Sequence, residues 1–400
     1  MRRTTTPTLA RTALLLGLFT AAGPIGIDLY LPAFPEMQDA LATGANGIQI
    51  SLVSYFVALA LGQLFYGPLS DRFGRRGPLA IGFTIFFVAS VGAALSQSID
   101  ALIGWRFLQG LGSCAGMVIA SSIARDLESG VRAARLFSLI VLVLGVSPIL
   151  APSVGAGLIS LSPWPITFWF MAGFAIIALI VIALLMKETL SPTYRAANLT
   201  SAFNMYPRIL ADQTYLRAVM TGAFAQAGFF AYIAGSPQVF ISLHGLSPTS
   251  YSTLFGLNAL ALIGSAQFTA LLLRRFAPDR IIGVATLVYL MLSMTLLATT
   301  LLQVDGLIVT VTLLFFITTC LGSIAPITAM QAVNNHPNAA GAASALMGSI
   351  QFGAGAFAGV LLSQLADDSA KPLAAVIGGC ALLATVSHCL PMLRRRALLE

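Results

Sequence analysis

Gly67-Pro68-Leu69-Ser70-Asp71-Arg72-Phe73-Gly74-Arg75-Arg76 places four charges and two glycines between two long apolar runs. A soluble core would seldom interrupt two hydrophobic segments with so charged a return. A chain that crosses a bilayer must, because each return at the membrane surface has to be short, polar and anchored there. Hydrophobic residues make up 58% of the 400 positions and charged residues 9%, against about 25% charged in soluble domains. With a mean hydropathy of +0.90, no soluble fold could hide this much apolar surface.

The net charge of +7 raises the question of a nucleic-acid partner, and the placement of the charges answers it. Nineteen of the 21 basic residues fall at helix ends on one side, from Arg2, Arg3 and Arg11 to Arg394, Arg395 and Arg396. The exceptions are Arg106 and Lys371. Loops on the opposite side hold acids: Glu36, Asp39, Asp100, Asp305, Asp367 and Asp368. Short Lys/Arg-rich loops stay cytoplasmic, so the basicity is topological and both termini are expected inside. The four cysteines lie in apolar segments without metal-ligand spacing and read as packing residues.

About 20 apolar residues span a bilayer as a helix. The first half gives spans at 12–32, 48–69, 78–97, 100–123, 135–160 and 164–186; the second gives 216–241, 250–273, 280–302, 306–329, 340–364 and 372–393. The expected fold is an all-α polytopic membrane protein of twelve transmembrane helices in two pseudo-symmetric bundles. The bundles cover 1–186 and 216–400, joined by a cytoplasmic linker at 187–215 that reads as a plain tether with at most a short interfacial helix. Leu273-Arg274-Arg275-Phe276-Ala277-Pro278-Asp279-Arg280 follows the eighth span as a degenerate echo of the loop after the second. Paired six-helix halves around a central site are a transporter plan.

Two formal charges fall well inside spans, Asp28 in the first and Arg106 in the fourth. Each costs roughly 2.5–3.5 kcal/mol at a helix centre and normally faces the interior with a partner. A static ion pair would satisfy both. Pro24 and Pro32 flank Asp28 at four residues on either side, however, so the helix is expected to bend or open at the acid. Burial disfavours a charged carboxyl and a nearby arginine favours it; an acid moved between such surroundings takes up and releases a proton. Arginine stays charged, which makes Arg106 a fixed bias or a substrate contact.

Arg106, Gln109, Gly110, Ser113 and Met117 form a stripe on the fourth span that is expected to line a cavity. Further cavity candidates are Tyr30, Tyr55, Gln63, Phe229, Phe230, Tyr232, Asn258 and Gln351. In the fifth span Pro148, Pro152 and Gly155, among other small residues, read as a pivot where helices approach closely and the backbone ladder is weak. No phosphate loop, metal cluster or catalytic triad is present in the sequence, so neither an enzyme nor an ATP-driven pump is expected.

The spacing Gly-x-Leu-x-Asp-Arg-x-Gly-Arg-Arg resembles the signature loop between helices 2 and 3 of the major facilitator superfamily. Asp28-Leu29-Tyr30-Leu31-Pro32-Ala33-Phe34-Pro35 resembles the end of helix 1 in its drug:proton antiporter branch, and Trp105-Arg106-Phe107-Leu108-Gln109-Gly110 its helix 4 motif. Ser147 to Ala156 resembles the helix 5 antiporter motif, with Pro152 and Gly155 matching and Ser147, Ala151 and Ala156 in place of glycines. Lys187-Glu188-Thr189-Leu190 and Phe230-Ala231-Tyr232-Ile233-Ala234-Gly235-Ser236-Pro237 are similar to the Bcr/CflA subfamily of bicyclomycin and chloramphenicol exporters. The resemblance implies proton-coupled efflux of amphipathic drugs across the bacterial inner membrane by a monomer that needs no cofactor beyond the proton gradient. It implies Asp28 as the protonation site, modulated by Arg106. It also implies a latch for the outward-facing state built from Gly67, Asp71, Arg72, Gly74, Arg75 and Arg125 with the start of helix 11. The alternatives are export of a dedicated metabolite, uptake by symport, and a non-transporting receptor or scaffold.

Overall fold

A computed structural model describes residues 9–128, 130–195, 203–334, 336 and 339–397. Arg2 and Arg3 therefore lie outside the described residues. Helices account for nearly all regular structure, as they must where lipid offers backbone groups no hydrogen bonds. Eleven helices are each long and apolar enough to cross a membrane, and the bent pair Leu9–Thr20 and Ala22–Ala40 supplies a twelfth span. The spans after the first are Ala45–Phe73, Arg76–Ala94, Ile99–Leu127, Gly130–Ile159 and Pro165–Leu185. The second bundle comprises Gln213–Pro237, Pro248–Leu272, Pro278–Leu301, Leu307–Asn334, Ala340–Leu365 and Lys371–Ala397. Their outer faces expose large apolar side chains such as Leu142, Ile177, Leu184, Phe268 and Ile308, a belt that only a bilayer can solvate.

The first span is broken rather than merely curved. Its two parts meet at 41°, one residue beyond Thr20, whose carbonyl Pro24 cannot bond because it lacks an N–H. The second part is helical to Asp28, turns through Leu29 and Tyr30, tightens into a 3-10 turn over Leu31–Ala33, and resumes at Phe34. Pro32 likewise denies a donor to the carbonyl of Asp28.

Close contacts hold the first and fifth spans together. A Cβ on Gly155 would stand 1.9 Å from the carbonyl oxygen of Leu29, so only glycine lets the fifth span seat against the break. The two bundles meet on the acid-bearing side, where Ser252 of the eighth span donates 2.9 Å to the carbonyl of Pro152. There the 3-10 turn of the first span packs on the seventh and eighth.

The linker differs from a plain tether. Its helix Tyr206–Leu210 is docked between the bundles on the arginine-bearing side. Tyr206 donates 3.0 Å to the carbonyl of Leu64 in the second span, while Tyr206 and Ile209 pack with Ala343 and Leu346 of the eleventh. The residues that the sequence marks only as a polar stretch hide three apolar anchors, Phe203, Tyr206 and Ile209, whose spacing matches helical turns.

Gly155→Ala is expected to destabilise the protein by about 1–3 kcal/mol, the usual cost of forcing atoms into a packed site. Gly157→Ala, where a Cβ meets nothing within 4 Å, should leave it unchanged. Thermal unfolding of the two variants in detergent checks this, and equal melting temperatures would refute the packing argument.

Candidate functional site

The break in the first span leaves carbonyls without helical partners, and Arg106 occupies one of them. Its guanidinium donates 2.7 Å to the carbonyl of Gly26 and also donates to Gln109 Oε1. It lies over the rings of Tyr30 and Tyr55, each 4.3 Å from the ring centre. Gln109 is fixed in turn by donating to Ser90 Oγ at 2.7 Å. Tyr55 donates to Ser113 Oγ at 2.7 Å and lies within reach of the Gly23 carbonyl at 3.2 Å. Arg106 is 0% exposed, its charge answered by a carbonyl, an amide oxygen and two π faces, each a favourable partner for a guanidinium.

Asp28 takes no part in this cluster. It is 3% exposed, its Oδ1 has no hydrogen-bond partner, and no ion pair joins it to Arg106 among the described residues. Tyr232 and Tyr251 of the second bundle are near enough to feel its charge. The Tyr232 hydroxyl accepts from Asn258 Nδ2 at 2.8 Å, which leaves its own proton free to donate. The static pair that would have satisfied both charges is thus not the arrangement found.

A cavity of about 370 Å³ lies between the bundles on the arginine-bearing side. Gln63, Gln226 and Gln351 line it from the second, seventh and eleventh spans, with Met117, Phe230 and Phe352. Arg125 and Gly341 belong to its rim, at the ends of the fourth and eleventh spans. Phe230 clusters with Phe56 and Phe352, with ring centres 4.5 and 5.3 Å away, so rings from both bundles meet beside the cavity. Thr20 also lines it; Asp28 stands eight residues further along the first span, roughly 12 Å at 1.5 Å per residue.

Of the residues expected to meet a substrate, Met117, Phe230 and Gln351 line the cavity, as does Gln63. Tyr30, Tyr55, Gln109, Ser113, Tyr232 and Asn258 are buried in the hydrogen-bonded packing beyond it. Gln226 and Ser344 escaped the sequence reading. A glutamine at mid-span, four residues before Phe230, was the available signal for the first; nothing distinguished the serine.

In the charged loop Arg75 pairs with Asp71 and, at 2.8 Å, with Asp126. Arg125 turns instead to Ser122 Oγ at 3.0 Å and is close enough to feel Asp71. Gly74 holds φ +91°, and a Cβ there would meet the Glu188 carboxylate. Burial works against the Glu188 charge, but backbone N–H groups of Arg75, Leu190, Arg76 and Thr189 outweigh it and hold the carboxyl below its ordinary value. Glu188 thereby caps the third span, whose own first residues supply no side-chain cap. Gly67 and Arg72 make no cross-bundle hydrogen bond among the described residues.

The family model of the Major Facilitator Superfamily matches residues 14–390. The chain belongs to this superfamily. It is thus a multi-pass membrane transporter and not an enzyme. It is 32% identical, over 91% of both chains, to an uncharacterized MFS-type transporter, YdgK, of Bacillus subtilis (strain 168). It is 24% identical, over 94% of both, to a bicyclomycin resistance protein homolog of Haemophilus influenzae. The fold matches the xylose transporter XylE from E. coli in a partially occluded inward open conformation. The TM-score is 0.75 with 14% identity, covering 94% of this chain and 96% of that one.

Arg106→Lys keeps the charge but loses the planar fork, so the Gly26 carbonyl and Gln109 oxygen cannot both be held. A stability loss of about 1–3 kcal/mol is expected, the cost of buried polar groups left unpaired. An unchanged melting temperature in detergent would show that the cluster does not brace the broken span.

Proposed function

We propose that this transporter exports small, uncharged amphipathic compounds of the bicyclomycin or phenicol type in exchange for protons. Asp28 carries the proton in this reading, and the arginine-bearing side with both termini faces the cytoplasm of a bacterial cell. The observation that carries it is the state of Asp28: buried, its Oδ1 unpartnered and out of contact with Arg106. An isolated buried carboxylate is far costlier than a neutral acid. The packing found here, with the bundles in contact on the acid-bearing side, therefore belongs with protonated Asp28. Loss of the proton leaves a bare charge that this packing does not accommodate, and favours a conformation in which Asp28 meets water.

Transport then follows as a population shift. Substrate and proton each stabilise different conformations, and a ligand moves an equilibrium only by its differential affinity. The three glutamines offer neutral donors and acceptors, and Phe230, Phe352 and Met117 offer apolar surface. This is the mixed lining that suits a small amphipathic ligand. The likeness to a bicyclomycin resistance protein homolog supports the same class of cargo.

One proton entering per neutral molecule leaving supplies about 2.3 kcal/mol per 100 mV, enough for a gradient of roughly 40-fold. Asp28→Asn, a permanent mimic of the neutral acid, should lose this concentrative export while still binding substrate. Two readouts check it: resistance of a pump-deficient bacterium to bicyclomycin and chloramphenicol, and proton release when substrate is added to purified protein. Full export by the variant would sink Asp28 as the coupling group. Proton uptake rather than release by the wild type would favour symport.

A further inference from the structure

On the outer face of the first bundle, away from the cavity, a groove of about 380 Å³ runs between the first and fifth spans. Ala21, Ile25 and Leu29 form one wall and Leu142, Val146 and Leu150 the other. Leu142 and Leu150 are more than half exposed, so the groove opens to the bilayer. From Leu142 to Val154 it measures about 18 Å along the helix, close to the ~15 Å that one leaflet contributes to the hydrocarbon core. Leu29, on its wall, is the residue whose carbonyl Gly155 touches.

The two spans run parallel and in fixed register. Gly17 packs on Val143 and Gly155 on Leu29, the same offset in both contacts. That register sets Arg11 level with Phe137, two residues from Arg135. Arg135 stands seven residues before Leu142, two turns back on the same helix face. Both arginines are exposed, and neither has an ion-pair partner among the described residues, whereas neighbouring Arg132 is paired with Glu128 at 2.7 Å. Two unpaired cations thus stand at the mouth of an apolar, membrane-facing groove.

We propose that this groove is a binding site for one phospholipid with an anionic headgroup, drawn from the leaflet on the arginine-bearing side. The headgroup phosphate lies against Arg11 and Arg135, and one acyl chain lies along Ile25, Val146, Leu150 and Val154. A membrane-dissolved drug would gain the apolar wall but leave both arginines unanswered; the phospholipid satisfies both at once. Bound there, the chain supports the bent span from its lipid side, behind Leu29.

The test uses the full-length protein in detergent, offered phosphatidylglycerol or phosphatidylcholine with identical acyl chains. Native mass spectrometry counts retained lipid and thermal unfolding reads its effect. The wild type should retain and be stabilised by phosphatidylglycerol in preference. Arg11→Gln with Arg135→Gln should weaken that binding roughly tenfold or more, since each basic residue near a charged headgroup contributes on this scale. Arg274→Gln with Arg275→Gln removes two exposed charges from the other bundle and should change nothing. Val146→Trp, which fills the groove, should lower retention of both lipids, and glycerol phosphate alone should not stabilise the protein. Equal binding of the two lipids by the wild type would overturn the proposal. So would undiminished phosphatidylglycerol binding in the Arg11/Arg135 variant, or an equal loss in the Arg274/Arg275 control.

Discussion

Pro32 has no N–H to give, and much of the first bundle is arranged around that missing donor. The helix before it stops at Asp28, and carbonyls that a continuous helix would have satisfied are left inside a low-dielectric interior. Arg106 reaches across from the fourth span to the carbonyl of Gly26, the fifth span seats Gly155 against the carbonyl of Leu29, and the aromatic rings of Tyr30 and Tyr55 flank the guanidinium. Each is a response to backbone polarity in a place where water is scarce. None of them answers the Asp28 carboxyl, whose Oδ1 is left without a hydrogen-bond partner.

The two surfaces of the membrane are braced differently. On the acid-bearing side the bundles touch directly, through Ser252 and Pro152 and through the turn after Asp28. On the arginine-bearing side the cavity lies between the bundles; the second and eleventh spans pack directly beside it, and the docked linker helix adds a further join. Charged contacts there stay within one bundle: Arg75 with Asp71 and Asp126, and Glu188 with the start of the third span. Surface ion pairs of this sort contribute little individually; their value here is that they fix loop shape around Gly74.

The large features were legible because they are written in composition and period. Twelve apolar runs, the arginine asymmetry and the prolines around Asp28 each have a local cause, and the helices lie within a few residues of the expected spans. The partner of Arg106 was not legible, because a carbonyl freed by a break eighty residues away in sequence carries no side-chain signature; Gly26 differs in no local way from other glycines. The cavity was half legible for a related reason. Tyr30, Tyr55, Gln109 and Ser113 are as polar as Gln63 or Gln351, and only packing decides which polar residues bond to one another and which stay free to meet a ligand. The linker misled because its three apolar anchors are too few to produce a period.

The clustered rings of Phe56, Phe230 and Phe352 come from both bundles, so the rocking of one bundle against the other that the proposed transport requires would part them. In the proposed reading, Phe230 and Phe352 are also part of the wall against which cargo would rest. Barrier and binding surface would then share atoms, and a bulky molecule lodged against Phe230 and Phe352 would prop the barrier open while it occupied the site. Size, apart from chemistry, would then govern how tightly the passage of one species is tied to that of the other. Small cargo would be counted faithfully, and large cargo would be carried with slippage, letting the gradient leak as it moves.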